Sequence, residues 1–292
     1  MDYRQDSEQG NYIKMLAADM AASGYFGHRG ASPAQSAARD LRSATDFVSG
    51  FIGEVGLPPG GQVLEIGCGN GSVSLAFAYA GFHVCATDYS TSRCTLTNAR
   101  VGDHGLPVRV VRADGTCLPV KSESQDLVIC RNVYEHVGRP ANLVAEIARV
   151  LKPGALCNLT APNRWGIGQL IRDEHYHLPL LTVLPRPIAK AYVIRLMKRD
   201  AYFILQRVPG YGELRRQLER NHLQWSLLQP DLALVQRKFL EPQTTNRGLA
   251  RRALQAAKSL RLSGALARLA TGEPALKYAY SRWSLLLTKA AD

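Results

Sequence analysis

The sequence predicts an α/β fold built on a mostly parallel sheet, and three observations carry that prediction. Short apolar runs alternate with helical stretches from Gln62 to Pro162, a rhythm that calls for parallel strands joined by crossovers. The first run, Val63 to Ile66, leads into glycines at alternate positions, Gly67, Gly69 and Gly71, with a helix beginning at Ser72. The second run, Phe82 to Thr87, closes on an acid, Asp88. Glycine adopts backbone angles that other residues resist and carries no Cβ to hold a ligand away, so such a loop lets a bulky ligand lie against bare main chain. A carboxylate at the tip of the second strand is placed to accept hydrogen bonds from a ribose diol.

The elements follow in order. Residues 11–56 read as helical. Ser32-Pro33-Ala34-Gln35 has the form of a helix start, with Ser32 as N-cap, Pro33 in the first turn and Gln35 reaching back. Leu41, Thr45, Val48 and Ile52 are spaced for one buried face, and Gly56-Leu57-Pro58-Pro59-Gly60-Gly61 ends the helix. The segment Gly24 to Gly30 reads either as a hinge or aromatic lid or as chain packed on the core. Strands are expected at 62–66, 83–87, 108–112, 126–131 and 155–161, and helices at about 72–80, 90–100 and 141–151. In an open parallel sheet, ligands bind beyond the carboxyl ends of the strands, and Gly67–Gly71, Asp88, Asp114 and Asn132–His136 all fall at such ends.

Residues 163–212 break this rhythm. Asp173-Glu174-His175-Tyr176-His177 precedes a proline-interrupted apolar run, Leu178 to Pro187, too short to span a bilayer. It suits capping an apolar substrate, touching a membrane surface, or covering the sheet as a pair of surface helices. A helix is expected over Tyr211 to His222, a strand within 223–240, a helix over 246–270 and a last strand over Ser281 to Lys289. In projection, Arg247, Arg251, Lys258, Arg261 and Arg268 share one side of the 246–270 helix, opposite Leu249, Ala253, Ala256 and Leu260. That basic amphipathic pattern fits an anionic membrane surface or simply a solvated face.

The glycine spacing separates two nucleoside ligands. A dinucleotide loop reads G-x-G-x-x-G, but here the last position falls on Ser72. The spacing is G-x-G-x-G, with Glu65 ahead of it and Asp88 behind. That form resembles the class I S-adenosylmethionine (SAM) methyltransferases, and within them the methyltransferase type 11 group. Further features fall in the family's order: Arg112-Ala113-Asp114-Gly115, the run Ser124 to Cys130, Asn132-Val133-Tyr134-Glu135-His136-Val137, Ala148 to Gly154, and the apolar run Ser281 to Lys289. The resemblance is sharp over roughly residues 60–162.

The resemblance implies a Rossmann-like fold: a mostly parallel seven-stranded sheet with helices on both faces, an N-terminal helical cap and an insertion after strand five. The corresponding spans are 1–56 for the cap, 57–162 for the SAM-binding core, 163–223 for the substrate-side insertion and helix, and 224–292 for the final strands and basic helix. It implies SAM as cofactor, with S-adenosylhomocysteine as product, held by Glu65, Gly67, Cys68, Gly69, Asn70, Gly71, Asp88, Tyr89, Asp114, Gly115 and Asn132. In the family the acid at Asp114 accepts from the adenine amino group. Each acid also has a plainer role: Glu65 could brace the loop from within, and Asp88 could cap the next helix, although Ser90 suits that task better.

A hydroxyl acceptor needs a base as its proton leaves. The candidates are His175, which opens the insertion, and His136, which follows the fourth strand, with Tyr134 and Asn132 orienting substrate. Oxygen in a small-molecule or lipid-linked acceptor is the favoured target. The Asn-Pro-Pro-Tyr-like segment of enzymes that methylate exocyclic base nitrogens is absent, since Arg131-Asn132-Val133-Tyr134 stands in its place. RNA or protein as acceptor, or a non-catalytic SAM-binding regulatory module, are the alternatives.

Composition narrows the setting. With 46% hydrophobic residues over 292 positions, the chain can bury a full core, so disorder is not the default. The polar start, Met1 to Asp6, does not read as a secretory signal, which predicts a cytoplasmic protein, free or peripheral to the membrane. Six cysteines without a C-x-x-C pair argue against a disulfide framework or zinc site, no metal is expected, and each thiol is expected to be buried. Residues 1–154 carry 14 Lys+Arg against 15 Asp+Glu, whereas residues 155–292 carry 22 against 9. That asymmetry favours an acidic partner, such as a phosphate-bearing substrate, an anionic membrane or nucleic acid. Nucleic acid is the least favoured of these, because no RNA-binding module or aromatic stacking motif is recognisable.

Overall fold

The structure, a computed structural model, describes residues 6, 10–23, 31–197, 208–228, 277, 280 and 282–290. The segment Gly24–Gly30, the expected basic helix over 246–270 and the end of the 223–240 stretch lie outside the described residues. Packing divides the chain into two compact units. The first comprises Met1–Val133, Ala141–Asn158 and Thr288–Asp292, and the second comprises Tyr134–Pro140 and Leu159–Leu287.

The first unit begins with two helices, α1 (Asn11–Ser23) and α2 (Pro33–Val55). The capping signal at Ser32 is realised in full. The Ser32 hydroxyl accepts from the Gln35 amide at 3.2 Å, and the Gln35 side chain accepts from the Ser32 amide at 3.0 Å. Gly56, at φ 66°, stops the helix in the left-handed region and returns its amide to the Ile52 carbonyl. Leu41, Val48 and Phe51 line the buried face of α2, and Tyr12, Ile13 and Leu16 of α1 pack on Ala37 and Leu96.

Alternating elements follow: β1 (Gln62–Ile66), α3 (Ser72–Tyr79), β2 (His83–Asp88), α4 (Thr91–His104), β3 (Arg109–Arg112), β4 (Gln125–Cys130), α5 (Pro140–Val150) and β5 (Leu151–Pro162). β1 pairs in parallel with β2 and with β4, and β2 pairs in parallel with β3. Val63, Leu64, Leu127, Val128 and Ile129 are fully buried, as the near-continuous apolar runs of a sheet covered on both faces require. The register places Ile66 opposite both Thr87 and Cys130, and Asp88 opposite Arg112, so these strands end at one edge. With β6 (Leu223–Leu227) and β7 (Arg282–Lys289), the sheet has seven strands in the order β3-β2-β1-β4-β5-β7-β6. This is the mostly parallel seven-stranded sheet that the sequence predicts.

Three expectations need adjustment. α4 runs four residues further, to His104, where Gly105 at φ 65° caps it. β5 starts at Leu151 rather than 155, because the turn-like Lys152-Pro153-Gly154 is carried within the strand, with Gly154 at φ 74°. Cys117 is exposed and Cys85 half-buried, against the expectation that every thiol is buried. Cys117 lies in the turn closed by its bridge to Asp114, and Cys85 alternates with Val84 and Ala86, which take the buried positions of β2.

In the second unit, the insertion contains α6 (Ile167–Ile171) and α7 (Arg186–Met197), with α8 (Tyr211–Arg220) leading into β6. Leu181, Ala189, Val193 and Val208 form its own small core. Asp173, fully buried, organises the turn before that core: its carboxylate accepts from the amides of His175, Tyr176 and Leu178 at 2.8–2.9 Å. Among the described residues no helix is long and apolar enough to cross a membrane.

Candidate active site

The loop after β1 is held from beneath by backbone hydrogen bonds. The amides of Gly67 and Cys68 both donate to the Thr87 carbonyl, at 2.8 and 2.9 Å. Gly67, Gly69 and Gly71 have φ values of 76°, 57° and 76°, all in the left-handed region. Their surroundings differ in an informative way. A Cβ on Gly67 would overlap Val133 Cγ2, and one on Gly71 would come within 2.8 Å of Thr97 Cγ2. A Cβ on Gly69 would meet no atom within 4 Å. The outer glycines are therefore required by the protein's own packing, while the middle one presents bare backbone to open space.

Asp88 faces that backbone. Its Oδ2 accepts from the Gly69 amide at 3.0 Å, and its Oδ1 accepts from the Ser90 amide at 2.9 Å. Helix capping falls to Ser90, whose hydroxyl accepts from Arg93, as its position suggests. An ionised carboxylate has about four acceptor positions, so Asp88 holds the loop and keeps capacity for a diol. Tyr89, next in the chain, is 70% exposed, with the Arg112 guanidinium 6.0 Å from its ring centre. Asp114, at the end of β3, is exposed, and its Oδ1 accepts from the Thr116 amide and hydroxyl at 2.8 Å. Gly115 packs where a Cβ would press on Ile66 and Leu143, at 3.0 and 3.1 Å. Asn132, beyond β4, has φ 56°, a conformation few non-glycine residues adopt and one that recurs at ligand sites. The sequence-predicted cofactor residues thus gather along one edge of the first unit. Bare main chain at Gly69 beside a carboxylate with acceptor capacity fits a nucleoside ligand.

Glu65 stands apart from the others. It is buried on β1, accepts from the Ser74 hydroxyl of α3, and has its carboxyl pushed up to about 8 by burial, against the pull of Ser74 and the charge of Arg131. Because the folded value lies above the ordinary 4.5, the folded protein holds an extra proton between pH 4.5 and about 8. Stability should therefore fall as pH rises through that window and flatten above it. Glu65→Gln should remove this dependence, with the variant gaining on the wild type by a few kcal/mol, order of magnitude, across the window. Urea denaturation of both proteins at several pH values tests this, and a stability difference independent of pH would mean that Glu65 is ionised throughout.

Other parts of this machinery had no recognisable signal in the sequence. Thr97, from α4, donates its hydroxyl to the Gly69 carbonyl at 3.0 Å. Asp40 of α2 accepts from the Asn70 side chain at 2.8 Å. Arg100, fully buried, donates to the Asn70 carbonyl at 3.1 Å, to the Ser72 hydroxyl, to the Ala37 carbonyl and, through two nitrogens, to Asp6 at 2.8 and 2.6 Å. His104 approaches the same Asp6 carboxylate at 2.9 Å. Only three-dimensional packing brings these side chains to the loop.

The predicted catalytic residues all fall in the second unit. Tyr134, Glu135 and His136 form one 3-10 turn, and the buried Tyr134 donates its hydroxyl to Gln217 at 2.8 Å. His136 and His175 meet edge to face, with ring centres 5.2 Å apart. His175 Nε2 lies 4.0 Å from Glu135 Oε1, and burial lowers the imidazole's pKa despite that carboxylate, favouring the neutral, proton-accepting form. Arg282 of β7 donates to Glu135 at 2.8 Å and to Glu174 at 2.6 Å. The sequence singled out the histidines and Tyr134, but not the Glu135–Arg282–Glu174 chain behind them.

Part of the chain is similar to known proteins. Residues 64–159 match the family described as "Methyltransferase domain". A ubiquinone biosynthesis O-methyltransferase from Hahella chejuensis is 33% identical over 132 residues, covering 45% of this chain and 56% of that protein. An uncharacterised methyltransferase from Mycobacterium bovis is 33% identical over 129 residues, covering 42% of this chain and 50% of its own length. The chain thus spans about half the length of the curated relatives it matches. A structure described as a putative sarcosine dimethylglycine methyltransferase from Galdieria sulphuraria shares the fold, with a TM-score of 0.51, 14% identity and 88% of each chain covered.

Proposed function

We propose, from the match of residues 64–159 to a methyltransferase domain, that the chain transfers a methyl group from SAM to an oxygen of a small-molecule or lipid-linked acceptor. One observation carries the cofactor half of this reading: the open face of Gly69 beside the Asp88 carboxylate. The loop from Gly67 to Gly71 would bear the amino-acid portion of the ligand. Asp88 would accept from the ribose hydroxyls, and Tyr89, Asp114 and Gly115 would receive the base. When bound, SAM supplies a methyl group already activated by its positive sulfonium. Much of the remaining barrier is met by holding the acceptor in line and excluding water. A hydroxyl acceptor also has a proton to lose, and His175, kept neutral by burial, is the group suited to take it, with His136 beside it. Oxygen as the attacking atom is supported by the name of the Hahella relative, and an acidic or lipid-linked acceptor by the basic C-terminal half.

Asp88→Ala should weaken SAM binding by about 1–3 kcal/mol, through the loss of charge-assisted hydrogen bonds and of the Gly69 anchor. Isothermal calorimetry on the folded variant measures this, and unchanged affinity would take Asp88 out of the site. The acceptor is tested with methyl-labelled SAM, the purified protein and a cell extract separated into lipid, small polar, RNA and protein fractions. Label in the lipid or small polar fraction is expected. Label in RNA or protein would replace the acceptor class, and SAM binding without labelling of any fraction would favour a regulatory module.

A further inference from the structure

We propose that Glu135, His136 and His175 form a binding site for a divalent cation of the zinc type. Their nearest ligand atoms, one from each residue, all lie within 4.8 Å of one another. Two imidazoles and one carboxylate are a donor set that suits zinc and its neighbours in the first transition row, and suits magnesium or calcium poorly.

The cluster is assembled for this rather than scattered on a surface. Glu135 is fully buried, and the Arg282 guanidinium fixes its Oε1 at 2.8 Å. Its Oε2 is also buried, yet accepts no hydrogen bond from any described residue. A buried carboxylate oxygen without a partner is rare and calls for a ligand or a water. Arg282 is shared with Glu174, at 2.6 and 2.9 Å, so the two carboxylates exceed the guanidinium by one negative charge. A carboxylate oriented from behind by a second group is the usual support of a metal ligand.

The histidines supply the adjustable part. Ligand atoms around a tetrahedral zinc sit about 3.3 Å apart, from bonds of about 2.0–2.1 Å. Closing from within 4.8 Å therefore needs shifts of at most about 1.5 Å, which rotation of two half-buried imidazoles can provide. His175 is carried on the turn that Asp173 fixes through three backbone amides, so its main chain is already set. Three protein ligands also leave a coordination position open. On the methyl-transfer reading, on which this last step rests, that position would take the acceptor hydroxyl and make its proton easier to lose. The expectation of no metal came from cysteine spacing, which says nothing about ligands drawn from a short turn and a distant loop.

The experiment is a zinc and cobalt titration of the full chain, stripped with chelator, alongside His136→Ala and His175→Ala. Both histidines are only half-buried, so these variants should fold, and their circular dichroism and melting temperature would be compared with the wild type. One cation per chain is expected, with the visible cobalt spectrum of a four- or five-coordinate ion. Each variant should bind at least ~100-fold more weakly. A wild type that takes up no cation, or variants that bind as it does, would overturn the site. SAM affinity, measured separately by calorimetry, tests the methyl-transfer reading whatever the metal result.

Discussion

Arg100→Met should destabilise the protein by about 3–5 kcal/mol, the cost of removing one partner from a buried ion pair. The guanidinium and the Asp6 carboxylate are 0% and 1% exposed, so the substitution leaves a charge that water cannot reach. It also removes the donors to Ala37, Asn70 and Ser72, and takes the cation from over the Tyr12 ring, where it sits 4.5 Å from the centroid. Chemical denaturation measures the loss, and a change below about 1 kcal/mol would mean that the network contributes little. The double variant with Asp6→Asn should lose less than the sum of the two single changes, since both act on one pair. Burial alone would raise the Asp6 pKa, but hydrogen bonds from His104 and Arg100 bring it below the ordinary 3.8. The stabilisation this gives is therefore complete above pH 3.8 and lost as pH falls through the lower folded value. In Arg100→Met that acid loss should begin at higher pH.

Substituting Gly67 and Gly69 by alanine should separate folding from binding. Alanine at Gly67 takes on a left-handed backbone, at roughly 1–2 kcal/mol, and a methyl group forced into Val133, at about 1–3 kcal/mol. The sum, about 2–5 kcal/mol, should appear as a lower denaturation midpoint. At Gly69 only the backbone term applies, because the added methyl meets no protein atom. Gly69→Ala should thus stay folded, losing about 1–2 kcal/mol, while its SAM affinity falls by roughly tenfold or more as the methyl enters the ligand's space. If Gly69→Ala binds SAM like the wild type, the ligand does not lie against that loop.

The contrast between these glycines also marks what a linear reading can reach. The β1 loop, Asp88 and the Ser32 cap were legible because each is a local device: a residue type at fixed spacing acting on its own backbone. The parallel strands were legible because burial on both faces leaves unbroken apolar runs. β5 was misjudged at its start because Pro153-Gly154 is a turn signal that the strand absorbs. Arg100 was not legible: an arginine in the middle of a polar helix reads as a surface residue, and only the fold brings Asp6, Ala37, Asn70 and Ser72 around it. Arg282 and Glu174 went unnoticed for the same reason, 108 positions apart in the chain yet 2.6 Å apart in space. Val133, within the Asn132–Val137 segment, gave no hint that its methyl group excludes any side chain at Gly67.

The six thiols differ sharply in how readily a reagent can reach them. Burial pushes those of Cys68, Cys85, Cys94 and Cys157 above their ordinary range, which suppresses the reactive thiolate, and Cys130 is fully buried. Cys117 alone among them is exposed, and its amide donates to the Asp114 carbonyl at 2.9 Å. Cys117 is therefore the favoured thiol for maleimide chemistry, and a fluorophore attached there would sit on the loop assigned to the adenine base. Cofactor arrival could then be followed as a change in emission.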